Sequence, residues 1–138
     1  MTVKEYLMQL WRLDRTIEIK RRELAKLEEE IGISAMPDNQ DRVIGSGYPR
    51  DPVADPTIQR VQMAEYIQRL IRVYTNLKAT ISDQIEGMEC DTYRDLLICR
   101  YILMMTWEDV AVTMKYDVRH CTRLHGRALQ AFQKQYMS

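Results

Sequence analysis

The chain is poor in the residues that most often carry chemistry. It has two histidines and three cysteines in 138 residues. No HExxH, no CxxC, no phosphate-loop glycine pattern and no nucleophile elbow occurs in it. These absences remove the usual settings for metal-assisted hydrolysis, dithiol exchange, nucleotide binding and acyl transfer, so no enzymatic activity, cofactor or metal is expected. Cys90, Cys99 and Cys121 are odd in number and without paired spacing, which reads as reduced thiols in a reducing compartment. No stretch approaches the apolar length that a membrane span needs, and the first residues lack the apolar core of a signal peptide. A cytoplasmic protein without membrane contact is therefore expected. Net charge is missing too, because 20 Lys and Arg balance 20 Asp and Glu. Attraction to a polyanion would have to come from a local patch.

Glycine (five) and proline (four) are scarce and unevenly placed. Pro37, Pro49, Pro52 and Pro56 all lie in or at the end of one span, with Gly45 and Gly47 flanking Ser46. Residues 32–55 therefore read as a linker of a length unusual inside a compact domain, and mobility is expected there. Its GSG has neither the strand before it nor the helix after it that a phosphate loop requires.

Outside the linker the pattern is helical. Tyr6, Leu10, Leu13, Ile17, Leu24, Leu27 and Ile31 recur in steps of three and four, with Lys20 filling one seam position. A helix over Thr2 to Ile31 would be about 45 Å long, with Gly32 as its C-cap. Asp55-Pro56 reads as an N-cap and first-turn proline that open a second long helix. Met63, Ile67, Leu70, Tyr74, Leu77, Ile81 and Met88 form its seam, Gln84 interrupts it, and Ile71 and Ile85 widen it. Two helices matched in length and period imply an antiparallel hairpin. Periodicity does not say whether the seam is filled within one chain or between two. The EIKRREL run from Glu18 to Leu24 interleaves both signs and reads as a solvated face. Gly87 stops the second helix and Asp91 begins a third. The fold class is all-α: residues 1–89 a two-helix hairpin with its linker, residues 90–138 a small three-helix domain.

The most informative stretch is Met105 to Phe132. Thr106 stands as an N-cap before a short helix carrying Val110, Ala111 and Met114 on one side, with Glu108 and Asp109 in its first turn. Lys115 and Tyr116 make a turn, and Asp117 caps a longer helix with Cys121, Leu124, Ala128 and Phe132 inward. Its other side shows Arg119, Arg123 and Arg127, with His120 and Thr122 beside them, and no acidic residue follows Asp117. A short helix, a tight turn and a basic, acid-free helix make a suitable reader of the DNA major groove. Zinc binding by His120, Cys121 and His125 is not expected, since the two histidines stand about 140° apart on a helix and Cys121 points inward. Trp107, in phase with Val110 and Ala111, is expected to seal the bundle edge.

The order T-W-E-D-V-A…M-K-Y-D-V-R-H-C-T-R-L-H-G-R-A-L resembles region four of sigma-70-type RNA polymerase sigma factors, over roughly Tyr93 to Phe132. Most of the chain, including the MTVKEYL opening, looks like small phage and prophage transcriptional regulators, some of them late-gene activators. The resemblance implies a sequence-specific regulator whose partner is double-stranded promoter DNA, with RNA polymerase as a second partner. DNA-reading positions would fall on Arg119, His120, Thr122 and Arg123, with Arg127 touching phosphate. Asp117 departs from the serine common at that cap, Lys115 from the turn glycine, and Val118 from a polar reader. Two other classes fit the same pattern. A phage small terminase subunit also joins a helix-turn-helix to long helices, and a helical interaction protein would bind polymerase without reading DNA. A homodimer through the long helices is compatible with the regulator.

Overall fold

The computed structural model describes residues 1–35 and 55–137. The described residues are helical throughout, with no strand among them. The elements are α1 (Val3–Ala35), α2 (Pro56–Glu86), α3 (Asp91–Leu97), a π-helical turn (Ile98–Ile102), α4 (Trp107–Met114) and α5 (Val118–Tyr136). No described helix is long and apolar enough to cross a membrane. The linker expected over 32–55 falls almost wholly outside the described residues.

Local chemistry explains most of the boundaries. Thr2 and Glu5 form a reciprocal capping box, Glu5 N–H donating to Thr2 Oγ1 at 3.1 Å and Thr2 N–H to Glu5 Oε2 at 3.0 Å. Helix α1 does not stop at Gly32, as its C-cap role required, but runs on to Ala35. A glycine inside a helix costs only about 1 kcal/mol relative to alanine, and no proline intervenes before Pro37. Asp55 does cap α2, its Oδ1 accepting Thr57 N–H at 2.9 Å. At α3 the cap position belongs to Cys90, which makes no side-chain bond. Asp91 stands one residue later, where it pairs with Arg94 at 2.8 Å.

Packing divides the chain into two compact units: residues 1–15 with 72–138, and residues 16–71. The boundary expected at residue 90 thus lies inside the first unit. Its core joins Val3, Leu7 and Leu10 of α1 and Ile81, Ile85 and Met88 of the α2 end to Leu96, Leu97, Cys99, Tyr101, Val110, Ala111, Cys121, Leu124, Ala128 and Phe132. Val3 and Leu7 lie outside the seam read from the sequence. They are buried because the first turns of α1 face the C-terminal helices as well as α2. In the second unit only Ile17 and Ile67 are buried among the described residues. Its charged face carries the ion pairs Arg22–Glu18 and Lys20–Glu23, in keeping with a solvated EIKRREL run.

The π-helical turn has no counterpart in the sequence reading. Leu103 N–H reaches back five residues to the Ile98 carbonyl at 2.9 Å. Here Arg100 lies between two indoles, its guanidinium carbon 4.6 Å from the ring centres of both Trp11 and Trp107. Arg100 also donates to the Met105 carbonyl at 2.8 Å, while Trp11 Nε1 donates to the Arg100 carbonyl at 3.1 Å. One side chain thereby ties the start of α1 to the approach to α4. Trp107 is half-buried in this cluster, the edge-sealing position its phase implied.

Candidate nucleic-acid interface

Helices α4 and α5 are joined by three residues, each held by an identifiable interaction. Thr106 Oγ1 accepts Asp109 N–H at 3.2 Å and fixes the start of α4. At its end Lys115 takes the left-handed conformation (φ 61°, ψ 41°). The next amide, Tyr116 N–H, then reaches the Ala111 carbonyl at 3.0 Å, the closure glycine usually makes at a helix C-terminus. Lysine bears that backbone at a cost glycine would not incur. Asp117 Oδ1 accepts His120 N–H at 2.7 Å, so α5 begins at Val118.

The inward half of α5 is fully committed. Cys121, Leu124, Ala128 and Phe132 are buried, and Phe132 lies near Tyr6 and Tyr136 with ring centres 6.1 Å and 4.9 Å away. The far end is tied down as well. Tyr136 Oη donates to the Gln84 carbonyl at 2.6 Å and Gln135 Nε2 to the Gly87 carbonyl at 2.9 Å.

His125 belongs to this inner half. Its Nε2 lies 2.6 Å from Tyr101 Oη, its ring stacks on Tyr101, and it meets the Trp107 ring at 4.8 Å. Burial, then repulsion from Lys4 and Arg100, push its pKa down to about 4. Tyr101 is raised by burial to about 12. Both groups therefore stay neutral near pH 7. Burial likewise pushes the Cys99 and Cys121 thiols up, which disfavours the reactive thiolate. No cluster of three or more potential metal ligands occurs among the described residues.

The outward half has a different character. Arg119, Thr122, Arg123 and Arg127 are exposed, and no ion pair engages any of the three arginines among the described residues. The five residues expected to contact DNA, four as readers and Arg127 at phosphate, are not equivalent. Arg119 and Arg123 lie on the outward face one helical turn apart. Thr122 stands next to them, but its hydroxyl donates back to the Arg119 and Val118 carbonyls at 2.8 Å and 3.2 Å. Its methyl and a lone pair are what it offers outward. His120 is half-buried and packs edge-on against Tyr116 at 4.7 Å, so it stands at the flank. Arg127 lies on that same flank.

Two neighbours of this face escaped the sequence reading. Gly126 and Gln130 continue it, both exposed, at seven and eleven residues from Arg119. The helical step from Arg119 would have found them. The electrostatics are one-sided along α5, while Glu108 and Asp109 sit exposed in the first turn of α4.

Elsewhere, the second unit has a shallow groove of about 480 Å³ whose lining includes Ile19, Leu27 and Met63 together with Arg22, Glu23 and Lys26. It gathers no nucleophile and no metal-ligand set. No protein-family model, curated protein or solved structure matches the chain.

Proposed function

We propose that the chain is a sequence-specific DNA-binding transcriptional regulator of phage or prophage type. In this reading α4 and α5 form a helix-turn-helix, and the face led by Arg119 and Arg123 enters the major groove of promoter DNA. The observation that carries it is the state of that face. Three arginines stand exposed, with no ion-pair partner among the described residues, along a helix without a single carboxylate, in a sequence whose net charge is zero. A merely solvated arginine row is commonly laced with acids at i, i+4 spacing, and this one is not. The tight, doubly capped turn before it supports the same reading, because it fixes the angle at which α5 is presented.

Arginine pairs bidentately with guanine O6 and N7, and each such contact is worth about 1–3 kcal/mol of discrimination. Arg127, on the flank, suits phosphate, where contacts position the protein without reading sequence. The long helices serve as a frame. Tyr6 Oη donating to Gln84 Oε1 at 2.7 Å supports an antiparallel hairpin. RNA polymerase is a second partner on the strength of the sigma-like order.

A mobility shift on duplexes selected from a randomised library tests the proposal. The parent should enrich one sequence, and Arg119→Ala, Arg123→Ala should bind it at least ten times more weakly. Equal binding by the double variant would overturn the reading. The exposed apolar residues Ile19, Ile58, Val61 and Tyr66 of the second unit favour a homodimer through the long helices. Its inverted half-sites would lie about 10 bp apart. A native mass of eight or more copies would favour a packaging ring over the regulator.

A further inference from the structure

Gly126 lies in the middle of α5, and nothing among the described residues requires a glycine there. A Cβ built on it meets no atom of a described residue within 4 Å. Its φ is not left-handed, so the backbone would accept any residue that favours a helix. The two other described glycines differ. A Cβ on Gly87 would sit 2.5 Å from Tyr136 Oη, so packing holds that position. Gly32 is also open, but it stands three residues from the end of α1 at Ala35, where glycine is common. In a helix interior glycine is the least favourable residue apart from proline. Its remaining use is to let another backbone or a ligand come close.

What surrounds Gly126 says which ligand. It shares the outward face with Thr122 and Arg123, four and three residues before it, and with Gln130, four after. Arg119 lies two turns back on the same line. All four are exposed, and Arg119 and Arg123 have no carboxylate partner among the described residues. The result is a notch in a basic, acid-free ridge, with hydrogen-bonding side chains on either side and bare main chain at its base.

We infer that Gly126 is a close-approach point for DNA: one strand of the duplex lies in van der Waals contact with the α5 main chain there, between Arg123 and Gln130. This rests on the DNA-binding reading and adds to it a contact made by no side chain. It also fixes how deep α5 sits, because a side chain at 126 would hold the strand off. Arg119 and Arg123 would then fall short of the base edges.

The inference makes stability and binding move in opposite directions. Gly126→Ala and Gly126→Leu both replace glycine by a strong helix former in open space, so both should raise the melting temperature of the full chain by about 3 °C. Both should weaken binding to the duplex selected by the parent. Loss should be a few-fold for alanine and at least about tenfold for leucine, since filling a tight contact is disruptive in proportion to the volume added. Arg119→Ala, Arg123→Ala is measured beside them. Weak binding by the arginine variant, with parental affinity in Gly126→Leu, overturns the close approach and leaves the DNA reading standing. Failure of the parent to select any duplex, or parental binding by the arginine variant, overturns both. Weaker binding by stabilised Gly126 variants supports the inference, because damage to the fold cannot produce it.

Discussion

Acid should loosen the core beneath the basic face, and His125 sets the pH at which it does so. The free imidazole titrates near 6.5, whereas burial and the cations Lys4 and Arg100 hold His125 at about 4 in the fold. The folded state therefore refuses a proton that the unfolded chain takes up. Stability from this group is fully present above about pH 6.5 and is lost as the pH falls toward 4. The gap from 6.5 to about 4 corresponds to ~3 kcal/mol at ~1.4 kcal/mol per unit. The ring is partly open to solvent, so screening reduces the usable effect to about 1–2 kcal/mol. The hydrogen bond is part of the cost. Tyr101 Oη, 2.6 Å away, keeps its proton and shares a hydrogen bond with the neutral ring. A protonated imidazole must donate from Nε2, which confines the tyrosine hydroxyl to accepting. Urea unfolding between pH 7.5 and 4.5 measures this directly in the parent and in His125→Gln, which cannot titrate. The parent should lose about 1–2 kcal/mol more than the variant across that range. Parallel curves, or a His125 ring-proton titration by NMR with its midpoint near 6.5, would refute the reasoning.

Two further perturbations test the frame that presents α5. Lys115 pays for a left-handed backbone that glycine adopts freely, so Lys115→Gly should stabilise the chain by about 0.5–1 kcal/mol, and a lower melting temperature would contradict the turn geometry. Phe132 is wholly buried against Tyr6 and Tyr136, so Phe132→Ala should cost about 3–5 kcal/mol; a loss under 1 kcal/mol in denaturant unfolding would show that the end of α5 is not docked as described.

Where a boundary depends on one side chain and a neighbouring amide, the sequence was enough to place it. Thr106, Asp117 and Asp55 each announce a helix by a cap, and each makes that bond. The inward residues of α5 were legible for a related reason, since their spacing of three and four survives any arrangement of the partners. What was not legible depends on the partner. Helix α1 buries Val3 and Leu7 because its first turns meet the C-terminal helices, and a seam traced in heptads sees only the side facing α2. The π-helical turn is similar. Its extra residue shifts the register so that Tyr101 points into the core while Arg100 fits between Trp11 and Trp107. No local preference of Ile98 to Ile102 encodes that. Glycine is ambiguous in another way, since Gly32 reads as a stop and yet lies inside α1.

The basic face shows why a list of residue types is a weaker guide than the position of each on its helix. His120 and His125 are five residues apart and chemically identical, yet one flanks the arginines and the other is half-buried against two aromatic rings. Thr122 offers a methyl and a lone pair because its hydroxyl proton is already committed. A thymine methyl matches the first and a base amino group the second. The division of labour along α5 also makes the proposed function testable without the usual confusion. Its inner half is fixed by four buried residues and by bonds at both ends, while its exposed arginines enter no ion pair among the described residues. Substitutions of those arginines should therefore leave unfolding free energies within about 0.5 kcal/mol of the parent. A change in DNA affinity produced there reports the interface itself. An arginine variant that unfolds instead would mean that the row supports the fold, and the case for a reading face would fail at its first premise.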